Sequence, residues 1–195
     1  DPLLNCPTAF KIASSTVINE IATACLRCIP AMSSVPNLRL SFANEYYKPG
    51  EHPTIRGETQ SFHIDTGSPK MLKMFFYLND VDEDGGPFTY VQESYQRRHS
   101  GWNKQYRVSD QEIFALYNNN TIRYVTGKVG DLVIANTNAF HKGLKPAKTD
   151  RIMLTLNFNV HEENFRKQNI KVKKETVSDL EDIKKPLLDF MEVLE

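Results

Sequence analysis

Hydrophobic positions recur along this chain with two different periods. After Ser14-Ser15-Thr16, the residues Val17, Ile18, Ile21, Ala22, Cys25, Leu26 and Ile29 fall three and four apart. That spacing predicts an amphipathic helix, capped by the polar triplet, stopped at Pro30 and packed on a sheet. Beyond it the period is two. Leu38 to Tyr47 alternates and ends at Pro49-Gly50, and a polar run over 51–60 reads as a loop leading into Ser61-Phe62-His63-Ile64-Asp65-Thr66-Gly67. Met71 to Leu78 then splits into Leu72, Met74, Phe76 and Leu78 on one face and Met71, Lys73, Phe75 and Tyr77 on the other. An Asp- and Gly-rich turn over 79–87 separates it from a short strand, Phe88 to Val91.

Asp110 opens a short helix through Phe114 and Leu116, and Ile122 to Thr126 reads as a strand that turns at Gly127. Leu132-Val133-Ile134-Ala135-Asn136 reads as a buried-strand run that delivers the chain to His141. In the last long strand, Ile152, Leu154, Leu156, Phe158 and Val160 take one face, while Arg151, Met153, Thr155, Asn157 and Asn159 take the other. A polar row on a strand this apolar predicts a wet cavity. Many short strands with turn signals between them fit a mainly β sandwich or closed double sheet rather than a βαβ series. Past His161 the chain turns charged. Ser178-Asp179-Leu180-Glu181 is a capping signature and Pro186 opens an amphipathic segment. Together they predict a C-terminal helical extension over about 176–195, a candidate contact in a homodimer.

Composition narrows the classes of partner. A chain of 195 residues, 40% hydrophobic, fits one domain, 1–195, with its core over about 38–160. Lys and Arg number 24 and so do Asp and Glu. No net field therefore draws the chain to nucleic acid or to an acidic membrane surface, and a partner such as a small-molecule substrate has to be argued from the site. No apolar run approaches the roughly 20 residues that span a bilayer. Arg97, Arg98, His99, Trp102, Lys104, Tyr106 and Arg107 form a basic, aromatic stretch, read as a solvated loop; whether Lys73, Arg97, Arg98 or Arg107 contacts an anionic substrate is open. The acidic turn lacks the spacing of a calcium loop. Cys6, Cys25 and Cys28 are too few and too close for a zinc set or a disulfide framework, which points to thiols in a reducing, cytoplasmic setting.

The candidate chemistry lies at the ends of the strands. On a strand, His63 and Asp65 point to one face, and His141 arrives from a later strand. Two imidazoles and one carboxylate on one side of a metal suit non-haem Fe(II) and leave positions open for a chelating 2-oxo acid and O₂. Arg151 begins the polar face of the following strand, where its planar guanidinium can match the far carboxylate of 2-oxoglutarate.

These residues also carry a family resemblance. His63-Ile64-Asp65, the stretch from Phe76-Tyr77-Leu78-Asn79-Asp80 to Gly85-Gly86-Pro87-Phe88, and Gly130-Asp131-Leu132-Val133 through His141-Lys142-Gly143 to Arg151 resemble the phytanoyl-CoA dioxygenase-like family of Fe(II)/2-oxoglutarate oxygenases. The resemblance implies a double-stranded β-helix, a cupin-like jelly roll, with flanking N- and C-terminal helices. It implies that His63, Asp65 and His141 bind iron and act in catalysis, and that Arg151 binds 2-oxoglutarate. Phe75 aligns with a position near the oxoacid, with Lys73 and Tyr77 on the same face. Many relatives carry a small polar residue where this chain has Gly143, so a hydrogen bond to the oxoacid is either missing or supplied by Thr155 or Asn157. Asp65 is kept where related halogenases have a small residue, which favours hydroxylation. The implied activity is hydroxylation of a C–H bond in a small organic molecule, with release of succinate and CO₂. Hydroxylation of a protein side chain and a non-catalytic jelly-roll binding module are the alternatives.

Overall fold

The computed structural model describes residues 5–32, 34, 36–43, 60–97, 107–160, 170–178 and 191–194. Two helices come first, α1 (Pro7–Ser14) and α2 (Thr16–Leu26). Ser15 separates them in extended conformation, and its hydroxyl accepts from the Ile18 N–H at 3.3 Å, the capping expected of the polar triplet. The helix is shorter than its hydrophobic spacing predicts. Arg27 turns left-handed (φ 56°) and closes the helix by donating its N–H to the Thr23 carbonyl, leaving Ile29 in solvent, 76% exposed. α1 was not foreseen: its eight residues are too few for periodicity to stand out, although Pro7 sits at the favoured first position. No helix among the described residues is long and apolar enough to cross a membrane.

Among the described residues, ten of the strands form two facing antiparallel sheets. In the first, β1 (Ala31–Met32) and β2 (Asn37–Ser41) both pair with β10 (Arg151–Asn159). β10 pairs in turn with β4 (Met71–Tyr77), and β4 with β8 (Leu132–Ala135). The second sheet has the order β6 (Arg107–Val108), β3 (Phe62–His63), β9 (His141–Gly143), β5 (Phe88–Val91), β7 (Ile122–Val125).

Side-chain alternation decides what each face does. On β4 and β10, Leu72, Met74, Leu156 and Phe158 face outward and pack with Phe10, Ala13, Ile18, Ala22 and Leu26 of α1 and α2. The opposite face turns toward the second sheet, where Phe75, Tyr77 and Met153 meet Phe88, with the Phe75 and Phe88 rings 4.9 Å apart. The outer face of the second sheet is covered by α3 (Asp110–Leu116), which starts from a Ser109/Glu112 capping box and buries Ile113 with Phe62, Val91, Val108 and Phe140. Buried Lys142 points outward from β9 and clamps this helix, its ammonium 2.6 Å from Asp110 and above the Phe62 ring. Tyr77 joins the sheets: its hydroxyl donates to the Val125 carbonyl (2.7 Å) and accepts from the Phe88 N–H (3.1 Å). Two facing sheets in this strand order make a double-stranded β-helix.

Several expectations need correction. β3 stops at His63, so Asp65 lies just past the strand; its backbone N–H still bonds to the Thr137 carbonyl at 3.0 Å. β8 is the edge of its sheet among the described residues, with Ile134 41% exposed, because apolar composition alone cannot distinguish an edge from a centre. At the C-terminus, the helical extension expected over 176–195 is replaced in part. Lys174–Ser178 is a short helix, α4, but Met191–Leu194 forms β12, parallel to β11 (Ile170–Lys173). Ile170-Lys171-Val172-Lys173 alternates apolar and basic residues, but Met191-Glu192-Val193-Leu194 does not, so the strand at the C-terminus has no period-two signal of its own. Positions 179–190, with the rest of the capping signature, lie outside the described residues, as do Tyr46, Tyr47 and the 98–106 part of the basic stretch.

Candidate metal and anion site

Strand pairing brings the two histidines together. His63 is directly opposite His141 across β3 and β9, and His141 is opposite Tyr90 across β9 and β5. Opposed residues of an antiparallel pair share a face, so both imidazoles point between the sheets, with ring centroids 4.2 Å apart. Each Nδ1 lies 2.9 Å from a carbonyl two residues upstream, Ser61 for His63 and Ala139 for His141. Donation from Nδ1 leaves Nε2 as the free lone pair on each ring, the tautomer that a metal ligand needs. The ligand atoms of His63, Asp65 and His141 all lie within 4.8 Å of one another, and among the described residues no other group of His, Cys, Asp or Glu does so.

Electrostatics keep these groups in ligand form. Burial lowers the pKa of His63, and burial reinforced by the neighbouring His63 pushes His141 down to about 4. Burial by itself would raise the Asp65 carboxyl, but Lys73 and His141 outweigh it and hold the group below its usual range. Lys73 Nζ is 2.6 Å and His141 Nε2 3.5 Å from Asp65 Oδ2. Neutral imidazoles and an ionised carboxylate are the states that bind a divalent cation.

A cavity of about 240 Å³ opens beside this cluster, lined by His63, His141, Lys73, Phe75, Arg151, Thr155 and Asn157. These are the lining residues that the sequence nominates, with Ser34, Asn37, Arg39, Phe88, Gly143 and Met153 completing the wall, and the polar row of β10 does face a cavity. Arg151 is 4% exposed, yet its guanidinium has no carboxylate among the described residues. Nη1 donates to the Leu144 carbonyl at 3.3 Å, Nη2 to Ser41 Oγ at 3.2 Å, and Nε has no partner. A buried guanidinium held only by long bonds to neutral groups is suited to pairing with an anion. Asn157 donates to Ser34 Oγ at 2.5 Å and leaves a buried Oδ1 unpartnered, while Thr155 is buried at its side. Lys73, a candidate oxoacid contact, lines the cavity and is paired there with Asp65. Arg107 is exposed on β6, opposite His63, and Arg97 is exposed beside Glu93.

Some contributors were missed. Asn37, Arg39 and Ser41 alternate with Leu38 and Leu40 on β2, so the period-two signal was present, but only the apolar half was used. Asn79 brackets Arg151, donating to the Asp150 carbonyl and accepting from the Ile152 N–H, both at 2.7 Å. Asn79→Ala leaves both backbone groups unpaired and is expected to cost about 1–3 kcal/mol, measured by urea unfolding. The acidic turn is structural: Asp80 accepts from Lys128 and the Val129 N–H, Asp82 from the Gly85 N–H, and Asp84 from Lys148. Cys6 and Cys25 are exposed and Cys28 is half-buried, all as free thiols.

Solved structures share this fold. EctD from S. alaskensis with 2-oxoglutarate and 5-hydroxyectoine matches with a TM-score of 0.58 at 18% identity, covering 82% of this chain and 55% of that one. The epimerase SnoN in complex with Fe3+, alpha ketoglutarate and nogalamycin RO matches at 0.55 and 14% identity, covering 79% and 59%. EvdMO1 matches at 0.50 and 16%, covering 77% and 32%. These likenesses establish the double-stranded β-helix, and the chain spans less than two thirds of the length of each of these three structures. No family model and no curated protein sequence matches the chain.

Proposed function

We propose that the protein is an Fe(II)- and 2-oxoglutarate-dependent dioxygenase that hydroxylates a C–H bond of a small organic molecule. The observation that carries this reading is the buried Arg151 guanidinium, without a carboxylate partner among the described residues, in the same cavity as His63 and His141. A metal cluster alone fits many reactions. A metal cluster with a guanidinium suited to an anion at one cavity asks for a ligand that is both a chelator and a carboxylate, which 2-oxoglutarate is. Two neighbours in the fold, EctD and SnoN, were crystallised with that oxoacid, which supports the same choice here.

In this reading His63, Asp65 and His141 hold iron, and Arg151 binds the far carboxylate of 2-oxoglutarate. Thr155 and Asn157 offer the hydrogen bonds that Gly143 cannot, and Phe75 and Phe88 exclude water from the cavity. Iron bound there supplies the chemistry by which O₂ is split between the substrate, as hydroxyl, and the oxoacid, which leaves as succinate and CO₂. Asp65 stands where related halogenases carry a small residue, which favours hydroxylation over halogenation.

Anaerobic titration with Fe(II) and then 2-oxoglutarate tests the assignment. The parent is expected to develop the visible charge-transfer absorption of an iron–oxoacid chelate, and Asp65→Ala to lose it together with tight iron binding. No band in folded, iron-loaded parent would overturn the oxygenase reading and leave a non-catalytic jelly-roll module.

A further inference from the structure

A second, larger cavity adjoins the site from the other side. It encloses about 590 Å³, and its inward walls come from Tyr90 of β5, Val125 of β7 and Val133 and Ala135 of β8. His141 and Phe88 line both cavities, so the two meet at the candidate metal. Tyr90 is also the cross-strand neighbour of His141. The volume is in the range of small-molecule sites.

The two cavities have opposite charge. The first is lined by Arg39, Lys73 and Arg151, whereas the second has one charged side chain among its described lining residues, Glu93. An oxoacid dianion is therefore drawn to the first, while the second offers it no cation of its own among the described lining residues. Glu93 is also strained, with φ 62°, a left-handed backbone that glycine or asparagine would adopt more cheaply. The surrounding structure enforces it. The Gln96 and Arg97 N–H groups both donate to the Glu93 carbonyl, and the next residue, Ser94, is fully buried and accepts from the Phe140 N–H at 2.8 Å. Phe140 precedes His141, so the turn that carries Glu93 is tied to the strand that carries the candidate ligand. Strain held in place at a cavity wall points to a use for that side chain.

We infer that this second cavity binds the substrate, and that it selects a molecule with an apolar body and an amine, the ammonium pairing with Glu93 while Tyr90 and Tyr95 cover the apolar part. Glu93 is paired at 3.3 Å with Arg97, but the Arg97 side chain is 82% and the Glu93 side chain 49% exposed, and a pair this open is weak enough for a ligand cation to displace it. Tyr90 and Tyr95 add ring faces on which an ammonium is favoured. The inference rests on the oxygenase reading for its chemistry but not for its binding.

The test uses three probes of one shape: phenethylamine, 2-phenylethanol and 3-phenylpropionate. Their affinities are measured by calorimetry and ligand-observed NMR, first on metal-free protein and then with Zn(II) and 2-oxoglutarate added. The amine is expected to bind about tenfold or more tightly than the carboxylate, a preference of one charge interaction. Glu93→Gln should bring the two within about twofold, and Glu93→Gly should do the same while raising Tm, because glycine relieves the backbone strain. Equal or tighter binding of the carboxylate, a preference that survives Glu93→Gln, or no binding of any probe would each overturn the inference. Since neither iron nor turnover enters the readout, these failures are separate from absence of the iron–oxoacid band.

Discussion

Arg151→Gln is expected to weaken 2-oxoglutarate binding by about 30-fold to several thousand-fold, because removing one partner of a buried charged pair costs about 2–5 kcal/mol. Fe(II) binding to the apoprotein should be unchanged, since Arg151 is not among the three ligand residues. The readout is the oxoacid concentration that half-develops the charge-transfer band at saturating iron. Arg151→Lys keeps the charge but loses the planar two-point match, so it should fall between parent and Gln. Gly143 provides an independent check. A Cβ built there would lie 2.9 Å from Arg151 Nη2, so the glycine is what lets the guanidinium lie against β9. Gly143→Val should displace Arg151 and weaken the oxoacid with the arginine still present. If Arg151→Gln binds 2-oxoglutarate as tightly as the parent, the anion lies elsewhere and the oxygenase assignment loses its main support.

The contrast with Gly143 shows which part of the site the sequence discloses. Arg151 was readable from the side-chain period of its strand, whereas His63, Asp65 and His141 were nominated together because the chemistry of two imidazoles and a carboxylate is narrow, even though Asp65 lies past the end of β3. The same period sorted Lys73, Phe75 and Tyr77 from Leu72 and Met74 before any coordinates. What could not be read depends on partners far along the chain. Ser94 acts through Phe140, Asn79 through Asp150 and Ile152, and Lys142 through Asp110. None of these pairs has a spacing that local periodicity could reveal, and each exists only once the sheets are in register. β8 and β12 failed for the opposite reason: a local pattern was present, but the environment that decides between edge and centre, or strand and helix, was not local.

The largest effect on stability is expected at Gly86, in the turn between β4 and β5. Its φ of 69° is left-handed, and a Cβ there would meet the Leu144 carbonyl oxygen at 2.5 Å and Pro146 N at 2.6 Å. Both obstacles are backbone, so no side-chain rotation relieves them. Gly86→Ala should therefore cost about 3 kcal/mol or more, conformational strain of about 1–2 kcal/mol plus the displacement of a packed loop. Gly130 separates the two terms, because its φ is also positive (94°) but nothing lies within 4 Å of the added Cβ. Gly130→Ala should cost only the strain. Urea unfolding of the two variants gives the difference directly, and equal losses would show that the 144–146 backbone yields more easily than its packing suggests. The consequence reaches the site as well. The loop that Gly86 supports carries the Leu144 carbonyl, which accepts from Arg151 Nη1, so any Gly86→Ala protein that folds should also bind the oxoacid more weakly. A variant that is destabilised but keeps parental oxoacid affinity would mean that Ser41 and β10 alone suffice to hold the guanidinium.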